Sequence, residues 1–210
     1  MVRHKQNAML NEEDVRRLYM DDIEWHRTSA SWKALIPNRN FNAFDVSDET
    51  PEEYQRRLRP RFRVPIQVLE QWLYPLYYNR TSTNNYGWLD YDKIEFVRQD
   101  MCLAQLRKVK VIRAYQRHVV EGSQYQAWHQ LPCTDQDREH WIQNSRWRTP
   151  PLILDVSSIP QEEIPRHADI KGRFQLVEGH SRLGYLYAAD NCEVLKKEHH
   201  QVYIMRYGVS

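Results

Sequence analysis

The run Phe174-Gln175-Leu176-Val177-Glu178-Gly179-His180-Ser181-Arg182-Leu183-Gly184-Tyr185-Leu186-Tyr187 constrains the chain more than any other. Phe174 to Val177 is short, apolar and β-prone, Gly179 permits a tight turn, Ser181 is a candidate cap, and Leu183, Leu186 and Tyr187 recur at helical spacing. The pattern predicts a buried strand bending sharply into a helix. Glu178, His180, Ser181 and Arg182 then fall at the helix N-terminus, where free backbone N–H groups and the positive end of the dipole attract anions. A guanidinium beside them supplies a planar, permanent charge suited to phosphate. The spacing is equally compatible with an ordinary capped helix whose His180 and Arg182 are simply solvated.

The segment LVEGHSRLGYLYAA resembles the signature turn of the ParB/sulfiredoxin superfamily, in which a strand runs through a G-x-x-R turn into a helix. PPLILDV (Pro150 to Val156) suits the preceding strand, HHQVYIMR (His199 to Arg206) the following one, and RVPIQVLEQWLY (Arg63 to Tyr74) resembles the family's opening strand and short helix. Where ParB proteins carry G-E-R-R, this chain has Gly179-His180-Ser181-Arg182 and lacks the first arginine. The D-G-H-T-R of the superfamily's free serine kinases is closer to Glu178-Gly179-His180-Ser181-Arg182. Sulfiredoxins need a cysteine two residues before the arginine, where His180 stands here.

The resemblance implies an α+β fold with a small mixed sheet, spanning residues 61–210, with a helical insertion at about 79–147. It implies ATP or another nucleotide as ligand, with its phosphates on Gly179, His180, Ser181 and Arg182, magnesium as companion, and phosphoryl transfer or hydrolysis as the reaction class. Glu178, His180 and Arg182 are then the catalytic candidates. Glu70 joins them by resemblance, as a carboxylate from the first half of the domain that accepts a hydroxyl proton or helps hold magnesium. The alternative is a module, of plasmid, phage or bacterial defence type, that grips DNA or a protein without turnover, or a nuclease.

A chain of 210 residues, 41% hydrophobic and 12% aromatic, is long enough to bury a core. Thirty Lys and Arg against 28 Asp and Glu leave a net charge of +2, so any surface for nucleic acid must be local. Cys102, Cys133 and Cys192 are odd in number and lack C-x-x-C spacing, which argues against a disulfide framework or zinc ribbon and for a reducing cytoplasm. No paired-histidine helix is present, and no transition-metal site is assigned to His118 with Glu121, or to His140 near Asp137. The N-terminus has no signal-like core and no run is long enough to span a bilayer, so no membrane partner is expected.

Residues 1–60 read as a helical extension. Asn11 to about His26 has an amphipathic stripe, Ile36 to Asp48 has loop composition, and Thr50-Pro51-Glu52-Glu53 forms a capping box with proline at the first helical position. Arg56, Arg57, Arg59, Arg61 and Arg63 make the densest positive cluster, either a receiver of phosphate backbone or a solvated, partly paired surface. From Val64 a helical face runs until Pro75 interrupts it. Lys93 to Val97 alternates like a strand, and Asp100 to Val120 reads as a helix with Arg107, Lys110, Arg113 and Arg117 on neighbouring positions, although KVKVI also permits a strand. Thr134 is placed to cap another helix.

Overall fold

The computed structural model describes residues 25–38 and 49–208. They fall into two compact units that divide after Asp92, rather than near residue 60. The predicted helix from Asn11 lies outside the described residues except at Trp25 and His26, and most of the predicted loop does too.

The first unit is helical. Helix α1 (Ala30–Ala34) starts at Ser29, whose hydroxyl accepts the Trp32 N–H at 2.9 Å. Helix α2 (Pro51–Leu58) begins with the predicted capping box, Thr50 Oγ1 accepting from Glu53 N and Glu53 Oε2 accepting from Thr50 N at 2.8 Å. No strand forms at Arg63–Pro65; the chain enters helix α3 (Ile66–Val68) directly from coil. Pro75 does not end the helical path either. A π-helical segment, Leu69–Leu73, with the Tyr74 N–H bonding the Leu69 carbonyl, leads into helix α4 (Tyr74–Leu76). The widened turn carries the chain past a proline ring that a regular α-turn would crowd. Helix α5 (Arg80–Tyr86) follows, capped by Asn79. The unit's core is aromatic: Trp32 and Tyr77 stack at 4.8 Å, and Trp72 meets Tyr86 edge-on at 5.9 Å. Trp32, Tyr77 and Tyr86 have no exposed surface.

The second unit is α+β. Its five-stranded mixed sheet has the order β1 (Ile94–Cys102), β5 (His199–Tyr207), β3 (Leu152–Asp155), β4 (Phe174–Glu178), β2 (Lys110–Val111). β1 pairs antiparallel with β5, β5 parallel with β3, β3 antiparallel with β4, and β4 parallel with β2. Consecutive residues of the inner strands are buried, Leu152 to Leu154 and Gln175 to Val177. Burial of consecutive residues, five of these six apolar and the sixth Gln175, reflects a sheet covered on both faces.

Two readings of the middle of the chain change. Asp100 to Val120 is not one helix: β1 runs to Cys102, then come helix α6 (Leu103–Leu106), β2, a single 3₁₀ turn and helix α7 (Gln116–Gly122). Pairing of Lys110 and Val111 with Gln175 and Leu176 wins over local helical periodicity. Residues 79–147 are therefore not a helical insertion, since they contribute β1 and β2 to the sheet and α5 to the other unit. Helix α8 (Asp135–Asn144) forms behind its Thr134 cap, and helix α9 (His180–Asn191) joins β4 to β5. Leu176, Leu183, Leu186 and Ile204 belong to the common core, each burial worth about 1.5–3 kcal/mol. Among the described residues no helix is long and apolar enough to cross a membrane.

Candidate functional site

The strand-to-helix turn forms where the sequence places it, with a different cap. Gly179 holds the N-cap position of α9 at φ 98°, and Ser181 lies inside the first turn, hydrogen-bonded to Tyr185. Only glycine serves at this point. A Cβ there would stand 2.7 Å from Pro151 Cβ and 3.1 Å from the Arg182 Nη2, in a left-handed backbone. The turn is thus packed against Pro151, and the Arg182 guanidinium folds back over it.

Glu178, the last residue of β4, turns its carboxylate toward this helix end. It accepts the Gly179 backbone N–H. Its Oε1 lies 3.8 Å from Arg182 Nη2 and its Oε2 3.9 Å from His180 Nδ1. Burial raises the Glu178 carboxyl above the ordinary range, against the opposing pull of Arg182, the Gly179 N–H and His118. Arg182 keeps 23% of its side chain exposed. Burial works against its charge, and Glu178 and Asp137 support it.

His180 is 6% exposed, and its Nε2 has no hydrogen-bond partner. Burial, then the nearby His118 and Arg182, push it down to about 3, so it is a neutral imidazole at ordinary pH. Its ring lies 4.5 Å from that of Tyr115, which in turn is 6.0 Å from His118. On α8, Asp137 accepts from Arg148 Nε at 2.8 Å and from Thr134 Oγ1 at 2.7 Å. Burial tends to raise this carboxyl, but those two hydrogen bonds and the charges of Arg148 and Arg182 hold it below the usual range.

The structure therefore brings Glu178, Gly179, His180 and Arg182 together and adds Tyr115, His118 and Asp137, which sequence reasoning did not assign to the turn. In the sequence His118 stands out only beside Glu121, where no metal site is assigned. Nothing in its local sequence tells that α7 packs on α9. Glu70 is exposed on the π-helical segment of the first unit, whereas the turn belongs to the second. His200, in the strand read from HHQVYIMR, is fully buried, with Nε2 3.1 Å from the Lys197 carbonyl and its ring 5.4 Å from Trp147.

The arginine cluster is partly spent on ion pairs. Arg57 makes two hydrogen bonds to the Glu49 carboxylate and one to the Ile36 carbonyl, and Arg61 grips Asp92 through Nε and Nη2 at 2.7 and 2.6 Å. Arg59 reaches only the Gln55 side chain, at 3.4 Å, and Arg56 and Arg63 are exposed. The second basic set is dispersed: Arg107 pairs with Asp190, Arg117 with Glu121, and Lys110 and Arg113 lie on β2 and the 3₁₀ turn.

Magnesium does not suit the side chains at the turn. A hard cation takes several oxygen ligands, whereas the Glu178 carboxylate faces a guanidinium and an imidazole. Among the described residues, no group of three or more His, Cys, Asp or Glu side chains is arranged to hold a metal ion. A phosphate oxygen fits better, since His180 Nε2 is a buried polar atom still lacking a partner. No protein-family model matches the chain, and neither the curated proteins nor the solved structures give a match.

Proposed function

We propose that the second unit binds a phosphorylated ligand at the Glu178–Arg182 turn and acts on it by phosphoryl transfer or hydrolysis. A nucleotide such as ATP is the class that the resemblance of Glu178-Gly179-His180-Ser181-Arg182 implies. The observation that carries the reading is the unpartnered Nε2 of His180, buried beside a guanidinium at the start of a helix. An orphaned buried polar atom costs about 1–3 kcal/mol, which a ligand oxygen would recover. In the Nε2–H tautomer His180 donates to such an oxygen, and Arg182 neutralises its charge through a charge-assisted hydrogen bond. Glu178, with its carboxyl raised by burial, is suited to taking up a proton at this turn.

Grip on DNA or protein without turnover, the other expectation, draws less support, because Arg57 and Arg61 are already held by Glu49 and Asp92. The test is thermal unfolding of native protein and Arg182→Ala with ATP, ADP, CTP and pyrophosphate. Ligand at about 100 times its Kd adds about 2.7 kcal/mol of stability, and this gain should be absent in R182A. No gain with any of these ligands, together with salt-sensitive DNA binding, would overturn the proposal.

A further inference from the structure

We infer that the Glu178 carboxylate is a resident anion of the turn, occupying the place that a ligand's phosphate takes, so that binding requires this side chain to be displaced. The inference rests on the reading just given and names how that site is regulated. The carboxylate takes up groups a bound anion would use: it accepts the Gly179 N–H and sets one oxygen 3.8 Å from Arg182 Nη2, while its other oxygen lies 3.9 Å from Nδ1 of the neutral His180, which offers it no hydrogen bond. Two anions cannot share that position without strong repulsion. Displacement is confined to the side chain, since the Glu178 backbone is fixed by pairing with Leu152 across β3 and β4. The side chain is 23% exposed, so it has a way out toward water.

The charged and titratable groups that face Glu178 are Arg182 and His180 on α9 and His118 on α7, while Asp137 on α8 acts on Arg182. Neutralising Glu178 therefore leaves a cationic turn with a free backbone donor. Burial already favours its protonated form, so anion binding should be accompanied by proton uptake there.

Sulfate is the probe, because its charge stays constant across the neutral range. Its affinity is measured by isothermal titration over a pH series for native protein, Glu178→Gln, Arg182→Ala and His118→Gln, with circular dichroism checking each fold. Native protein should bind more tightly as pH falls, E178Q should bind about tenfold more tightly with a flattened pH dependence, and R182A should not bind. The native pH series tests the inference without any substitution, and affinity that does not rise on acidification overturns it. Equal or weaker binding by E178Q, with binding lost in R182A, overturns the inference while leaving the anion site standing. A pH dependence kept in E178Q and lost in H118Q assigns the effect to His118 and overturns it as well. No sulfate binding by native protein or E178Q sinks the anion site and this inference together.

Discussion

Gly122 and Gly184 meet where α7 crosses α9, so closely that a Cβ built on Gly184 would stand 2.8 Å from the Gly122 Cα and 2.6 Å from the Val119 carbonyl oxygen. The crossing positions the site. Gly122 closes α7, the helix that carries His118, and Gly184 lies one turn after His180 on α9. Two side chains reduced to hydrogen let the backbones approach until Tyr115 contacts the His180 ring at 4.5 Å and His118 enters the field of Glu178.

Gly184→Ala should therefore destabilise the chain, although in an isolated helix the same change gains about 1 kcal/mol. The added methyl meets backbone atoms that have no rotamer to escape into, and overpacking of this kind costs about 1–3 kcal/mol. Gly122→Ala meets its nearest atoms at 3.0 Å and should cost less. Urea unfolding of the two variants checks both the sign and the order; a stabilised G184A would mean that the helices are not in contact.

Stability should fall on mild acidification because of His180. Its folded value of about 3 lies below the ordinary histidine value, so the unfolded chain takes up a proton that the folded chain refuses. The full contribution is present above about pH 6.5 and is lost by about 1.4 kcal/mol per pH unit as pH falls from there toward 3. Burial lowers His200 too, adding in the same direction, whereas Glu178, raised by burial, opposes it. Urea midpoints across this range should show a shallower acid slope for His180→Gln than for native protein; parallel slopes would remove His180 as the source.

Tyr77 tests the first unit by itself. Its ring stacks on Trp32 at 4.8 Å and its hydroxyl donates to the Trp32 carbonyl at 3.0 Å. Tyr77→Phe keeps the stack and removes one buried hydrogen bond, while the Trp32 carbonyl still accepts the Leu35 N–H, so it should cost about 0.5–1.5 kcal/mol. Tyr77→Ala, which also loses the ring, should cost about 3–5 kcal/mol. Equal losses in the two variants would mean that the hydroxyl, not the stacked ring, does the stabilising.

The parts of this fold legible in the sequence are those governed by neighbours along the chain. The capping box at Thr50, the Thr134 cap, the apolar strands before Asp155 and Glu178, and the glycine turn all depend on residues within a few positions. Elements governed by distant pairing were legible only in part: Lys93 to Val97 alternates like a strand, while KVKVI leaves helix and strand both open. Ile112 looks helical in series with Leu106, yet it borders a two-residue strand that pairs with β4. The site divides the same way. Glu178, His180 and Arg182 share one turn and were found together, while His118, Tyr115 and Asp137 reach them through packing that no local pattern records.

Thr134 joins helix stability to the charge network around Arg182. Its hydroxyl accepts the Asp137 N–H at 3.2 Å, capping α8, and donates to Asp137 Oδ2 at 2.7 Å, which orients the carboxylate toward Arg148. Thr134→Ala should cost about 1 kcal/mol through the lost cap, and Thr134→Ser, which keeps the oxygen, should cost almost nothing. The carboxylate should respond as well. Without the Thr134 hydrogen bond, one of the contacts holding Asp137 low disappears, so its carboxyl should titrate at higher pH in T134A than in native protein. Carboxyl-carbon NMR titration of Asp137 in the two proteins checks this; an unchanged Asp137 titration beside a destabilised α8 would confine Thr134 to capping alone.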